Sequence, residues 1–156
     1  MARETIILDA NPKGIFLPMI ITGTPKPGTL MEFTPATEPV NGIYTGRVYQ
    51  PGTNGKRRPL LILVEDQENG KRVTDAYVTG TLGKVYIPHP GEWLQILLQD
   101  VSGTGDAHAI GERLIAESGS GKFIATTGSP EVEPFIVMET VAAPTADTLA
   151  LVMCNS

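Results

Sequence analysis

The chain has 156 residues, 41% of them apolar and 19% charged, and a formal net charge of −5 at neutral pH. That is ordinary globular composition, and the acidity works against a phosphate-binding groove, which needs clustered positive charge. One cysteine excludes an internal disulfide framework, and no apolar run is long enough to cross a bilayer as a helix.

The 17 glycines and 13 prolines are scattered along the chain, as punctuation between many short strands, and not concentrated as in a disordered or collagen-like tract. With four Phe, four Tyr and one Trp, the core must rely on Ile, Leu and Val, which suit a pleated surface. Both features favour an all-β class: a compact sandwich- or barrel-like body of short strands. The first residues lack the long apolar stretch of a signal peptide, so synthesis and folding in a reducing cytoplasm are expected.

In chain order, Thr5–Leu8 is a short apolar segment cut off by the turn cluster Asn11-Pro12-Lys13-Gly14. Ile15–Ile21 resumes the apolar run, but Pro18 cannot donate to a ladder, so this stretch reads as an edge strand or extended connection. Residues 1–17 therefore read as an extended N-terminal arm or edge strand, with few contacts expected across the Asn11–Gly14 turn. Residues 18–156 read as a single β-rich domain. Gly28-Thr-Leu30, Gly42-Ile-Tyr44 and Leu60–Val64 weakly echo the order of elements nearer the C-terminus, which raises two related lobes within it.

Leu60–Val64 is continuously aliphatic and suits a strand buried on both faces. Val73–Thr79 is expected to pair with it across Asn69-Gly70, a dipeptide that favours left-handed turn geometry. Lys84–Ile87 makes a short strand closed by Pro88-His-Pro90. Glu92–Asp100 fits neither period cleanly, yet the turns on each side favour a strand, whereas Asp106–Leu114 has room for one helical turn at most. Gly111-Glu-Arg-Leu114, Lys122–Ala125, Phe135–Glu139 and Leu149–Val152 then follow as strands about ten residues apart.

Catalytic patterns are missing at the level of spacing. Gly80-Thr-Leu-Gly83-Lys84-Val85 and Gly119-Ser-Gly121-Lys122-Phe123 lack the glycine spacing and the hydroxyl of a phosphate loop, and Gly103–His108 is not a dinucleotide fingerprint. His89 and His108 have no second ligand at metal spacing, and no nucleophile elbow accompanies His108 and Asp106. Glu65-Asp66, Glu131 and Glu133 read as solvated turn charges, and Lys56-Arg57-Arg58 and Lys71-Arg72 as solvated loops beside Asn-Gly turns. Trp93 reads as a core residue, and Cys154 as a small buried hydrophobe or a frayed C-terminal thiol. No catalytic, cofactor-binding or metal-binding residue is assigned, no cofactor is expected, and the chain is expected not to be an enzyme.

The run Gly91-Glu-Trp-Leu-Gln-Ile-Leu-Leu98, then Ala109-Ile-Gly-Glu-Arg-Leu114, Gly121-Lys-Phe-Ile124, Pro134–Val141 and Asp147–Val152 resembles the capsid decoration, or head cement, proteins of tailed bacteriophages. The resemblance consists of strand-and-turn grammar over residues 91–152 and is looser upstream. It implies a β-rich structural virion protein on the outer surface of an assembled capsid of the HK97-type fold. There it would bind the major capsid protein at joints between subunits and stabilise the head, commonly as a homotrimer, with no direct contact to nucleic acid or membrane. Given the partner that the resemblance implies, Thr5, Ile6, Ile7 and Leu8 are the capsid-contact candidates, because an apolar arm can add a strand to a neighbour's sheet edge. The same four residues read equally as the first strand of the chain's own sheet. Alternatives are another small phage β protein (a tail-tube or head-joining subunit), a non-catalytic recognition module such as a sugar-binding sandwich, or a ligand-binding barrel around His108.

Overall fold

The computed structural model describes residues 5–8, 11–34, 38–50, 60–98, 107–116, 119–125, 135–143 and 146–155. The chain is all-β, as its punctuation by Gly and Pro implies. The first five strands are β1 (Ile15–Ile21), β2 (Leu30–Phe33), β3 (Tyr44–Val48), β4 (Leu61–Val64) and β5 (Leu82–Ile87). They close into a barrel in the order β1-β3-β2-β4-β5. Five more, β6 (Trp93–Leu98), β7 (Arg113–Ala116), β8 (Phe123–Ala125), β9 (Phe135–Val137) and β10 (Thr148–Cys154), close into a second barrel. Read from β6, the second barrel runs β6-β8-β7-β9-β10, which is the order of the first.

The correspondence extends to register. In each barrel the first and third strands are parallel and the other pairs are antiparallel. The chain of partners Leu63↔Val85↔Leu17 in the first barrel matches Val137↔Val152↔Leu94 in the second. The turn entering β2 is repeated too. Gly28 N–H donates to Leu63 O and Leu63 N–H to Thr29 O, while Gly111 N–H donates to Val137 O and Val137 N–H to Glu112 O. Gly28 and Gly111 occupy these turns at φ 88° and 89°, where a side chain would be strained.

Strand alternation sorts the core. On β4, Leu61 and Leu63 point into the first barrel with Met19, Ile21, Met31, Tyr77 and Val85. Ile62 and Val64 point the other way and join Leu30 and Tyr86 in a cluster shared with Leu94, Ile96, Leu114, Phe123, Phe135 and Val152 of the second barrel. All four β4 side chains are buried, so the unbroken aliphatic run does mark a strand covered on both faces. At about 1.5–3 kcal/mol for each fully buried aliphatic side chain, the shared cluster fastens the barrels into one body. Backbone bonds reinforce the seam: Leu97 N–H donates to Gly28 O at 3.0 Å and Leu30 N–H to Gly121 O at 2.8 Å.

Pro18 has a local explanation. Ile21 N–H donates to β5 side (Thr81 O) and Thr22 N–H to β3 side (Gly46 O), so even-numbered amides of β1 face β3. Pairing with β3 begins only at Met19, so Pro18 lies where no donor is needed. The Asn69-Gly70 turn is different from expectation. Gly70 is left-handed, but it ends a one-turn 3-10 helix (Gln67–Asn69) closed by an Asp66↔Lys71 bridge. Val73–Thr79 forms no strand, and β4 pairs instead with β2 and β5. Tyr77 is held by burial and by its hydroxyl, which donates to Val64 O at 2.9 Å; burial and the nearby Asp66 and Glu65 charges raise its pKa.

Gly46 shows how tightly the first barrel is filled. A Cβ there would lie 1.9 Å from the sulfur of Met19, a side chain with no exposed surface. Gly46→Ala is expected to cost roughly 1–3 kcal/mol by overpacking. Adding Met19→Ala should recover part of that loss in a double-mutant cycle, measured by urea unfolding; purely additive costs would contradict the contact.

Candidate functional site

Among the described residues β6 and β8 pair at Leu98↔Phe123, and the stretch of β6 before it does not pair with β8. The unpaired part of β6 is covered from outside the barrel. Gln95 N–H donates to Ile6 O at 2.8 Å, Leu8 N–H donates to Trp93 O at 3.2 Å, and Ile7 bridges Leu94. Ile6 has no exposed surface and joins the shared core. Its N–H donates to Glu65 Oε2 at 3.0 Å, and Thr5 Oγ1 bonds the other oxygen of that carboxylate.

The four contact candidates are thus extended along the chain's own β6. Ile6 is buried and Ile7 partly so; Leu8 is half-exposed. Contacts do cross the Asn11–Gly14 turn, contrary to the expectation from its turn chemistry. Lys13 and Gly14 N–H groups both donate to Glu92 Oε1. Tyr86 hydroxyl and His89 N–H donate to Oε2, each at 2.7 Å. Burial pushes the Glu92 carboxyl up, but these four donors outweigh it and hold it below the usual carboxylate range. Glu92 therefore pins the arm's C-terminal end, the β5–β6 turn and β1 to one anion.

Around this node lies an exposed apolar group. Phe16 packs on Tyr86 with ring centroids 4.9 Å apart. Leu8, Ile15, Phe16 and Trp93, each close in sequence or register to this node, are 42%, 58%, 48% and 44% exposed, single apolar side chains that a partner could cover. Trp93 is not a core residue: positions 94, 96 and 98 of β6 face inward, and 93 faces out. Met153 stands opposite Trp93, and Ile136 opposite Met153, which carries an outward apolar row across β10 to β9. A second patch sits at the other end of β1, where partly buried Ile20 pairs with exposed Leu82 beside Val78. Between the patches, Lys84 opposes Pro18 and pairs with Glu68 at 2.7 Å.

Other charged groups are engaged in the fold. Asp66 is buried, not solvated; burial raises its pKa, but Asn69 at 2.6 Å and the Lys84 charge bring it below the ordinary value. His108 is buried, with Nδ1 at 2.9 Å from Glu112 Oε2 and its backbone bridged to Val141. Asp106, the partner considered from sequence, lies outside the described residues, as do Lys56–Arg58, Glu131 and Glu133. His89 is a surface residue. Lys71 lies over the Tyr77 ring at 5.8 Å, and Arg72 N–H donates to Asp75, so this basic pair belongs to a turn. Cys154 is buried inside the second barrel. Among the described residues, no group of three potential metal ligands occurs, and no helix is long and apolar enough to cross a membrane.

An open cleft of about 200 Å³ lies at the seam, lined by Thr24, Lys26, Val48, Leu97 and Lys122 among others. Asp147 bonds both lysines, Lys26 at 3.0 Å and Lys122 through its other oxygen. Burial raises the Asp147 carboxyl, but the two ammonium groups hold it lower than usual. All three side chains are partly exposed, so Asp147→Asn is expected to cost under about 1 kcal/mol in urea unfolding. A larger loss would mean that this bridge, and not the apolar seam, fastens the barrels.

Sequence marks Thr5–Leu8 as an apolar segment but does not show which side chains surround Glu92. Only the β6 register turns Trp93 outward, and only the fold brings Phe16 beside Tyr86 and Glu92. No family model matches the chain, and no curated protein matches it.

Proposed function

We propose that this chain is a structural virion protein that decorates an assembled tailed-phage capsid. It binds the outer surface at joints between major capsid subunits of the HK97-type fold and stabilises the head, acting as a small closed oligomer, a homotrimer. The observation that carries this reading is a two-barrel body with a shared core and two apolar patches at opposite ends of β1. Phe16 and Ile20 are four residues apart, about 13 Å along a strand. A body that must grip more than one neighbour needs separated contact surfaces on a support that does not yield, and these patches answer that need. The strand-and-turn likeness of residues 91–152 to decoration proteins supplies the capsid as the partner. Large exposed aliphatics and aromatics such as Leu82, Val78, Phe16 and Trp93 suit burial at a protein joint.

The test is co-sedimentation with capsids that lack their decoration protein. The intact chain should pellet with expanded capsids at a saturable ratio, and Leu82→Asp should weaken that binding while leaving the fold intact. Self-assembly into open filaments without capsids would instead point to a tail-tube subunit. Failure of the folded chain to pellet with any capsid would remove the proposal.

A further inference from the structure

We propose that the Trp93–Gln95 edge of β6 is a strand-acceptor slot that also takes Thr5–Leu8 from a second copy of the chain, so that copies are linked by exchanged arms. The slot is a built site. It offers Gln95 N–H and Trp93 O as a ladder edge, a fully buried position for Ile6, and the Glu65 carboxylate for Ile6 N–H and Thr5 hydroxyl. The edge exists because Trp93–Gln95 lies ahead of the β6–β8 pairing at Leu98↔Phe123, as Phe16–Pro18 lies ahead of the β1–β3 pairing that begins at Met19. Among the described residues, the groups that bond this slot all belong to Thr5–Leu8. An identical segment from another copy satisfies each of those bonds, so exchange loses none of these slot contacts and is limited by the way the copies must approach.

That approach is bounded by the chain itself. The arm ends at Leu8, and Glu92 holds the backbone again from Lys13. Five residue steps span at most about 18 Å. Two copies can exchange arms only if the donor's Glu92 node lies against the acceptor's slot, and that is where Leu8, Ile15, Phe16 and Trp93 are exposed. Contact between copies there would bury those side chains, which identifies a second copy as the occupant. The second apolar patch, around Ile20 and Leu82, is left free. The inference stands whether or not the capsid is the eventual partner.

Continuing the Ile7↔Leu94 register places Leu8 opposite Trp93, and both are half-exposed. Opposed residues of this kind have Cα atoms about 5.5 Å apart, within disulfide reach. A chain carrying both Leu8→Cys and Trp93→Cys should close an internal disulfide, which verifies the slot without exchange. Two separate chains, one with Leu8→Cys and one with Trp93→Cys, can form that bond only in trans. Mixed at high concentration, mildly oxidised and run on a non-reducing gel, they should give a cross-linked dimer. Its yield should exceed by roughly tenfold that of Leu8→Cys mixed with Val78→Cys, an exposed position outside the slot, because seating the arm raises the local thiol concentration. The native Cys154 is buried and does not compete. Ile6→Asp in the Leu8→Cys chain should abolish the excess. Equal yields with Trp93→Cys and Val78→Cys, or no dimer while the doubly substituted chain closes internally, would overturn arm exchange.

Discussion

Glu92→Ala should be among the most damaging single substitutions in this chain, with a loss of about 3–5 kcal/mol in unfolding free energy. The carboxylate is 3% exposed and accepts from Tyr86 hydroxyl and from the N–H groups of Lys13, Gly14 and His89. Removing it strands several donors in a place poor in water, and each unsatisfied buried donor costs about 1–3 kcal/mol. Tyr86→Phe, which removes a donor to Glu92 and an acceptor of Gly14 N–H but keeps the ring on Phe16, should cost less, about 1–2 kcal/mol, because Gly14 N–H retains Glu92 Oε1. Comparable losses for the two would show that the Tyr86 hydroxyl, not the carboxylate with its other donors, carries this node.

The same group sets a pH dependence. Its folded-state pKa lies below its unfolded value, so its stabilisation is fully present above the ordinary glutamate range. It is lost as pH falls from about 4 downward through the lowered native value. Asp66 and Asp147, also lowered, act in the same direction. Stability should therefore fall steeply in acid, and Glu92→Gln should flatten that fall. An unchanged acid limb in the variant would contradict the assignment.

Deleting residues 1–8 should destabilise the body rather than leave it untouched. Ile6 is enclosed in the core cluster that both barrels share. Ile6→Ala alone is expected to cost about 2–5 kcal/mol through the cavity it leaves. Full deletion also frees Glu65 from two donors and exposes the Gln95 and Trp93 edge of β6, which invites edge-to-edge association. The midpoint of urea unfolding should drop, and the truncated chain should aggregate more readily. Truncation with an unchanged midpoint would mean that the arm adds nothing to the body.

The fold was legible in the sequence where one local signal decides the outcome. The aliphatic run at Leu61–Val64 became a strand buried on both faces, and the glycines at 28, 70 and 111 stand in left-handed turns. Trp93–Leu98 is a strand despite its irregular apolar pattern, because its outward side is covered too: Gln95 and Leu97 lie under the arm and the Gly28 turn. Val73–Thr79 has β-like composition but no partner strand, since β5 takes the place beside β4. Pairing between distant segments is a tertiary outcome that local pattern does not carry. The exposed apolar group was hidden for the same reason. Phe16, Trp93 and Leu8 are far apart in sequence, and only the shared Glu92 node and the β6 register bring them to one neighbourhood.

Stabilisation of the head is the claim on which the functional account depends, and the rupture of undecorated capsids tests it most directly. A protein that binds only the assembled shell stabilises it by mass action, so protection should rise with concentration and saturate as the sites fill. Capsids supplied with the intact chain should withstand heat and low salt that rupture undecorated ones, and Leu82→Asp should protect less at equal concentration. Capsids that rupture at the same temperature and salt with and without saturating folded protein would contradict the account.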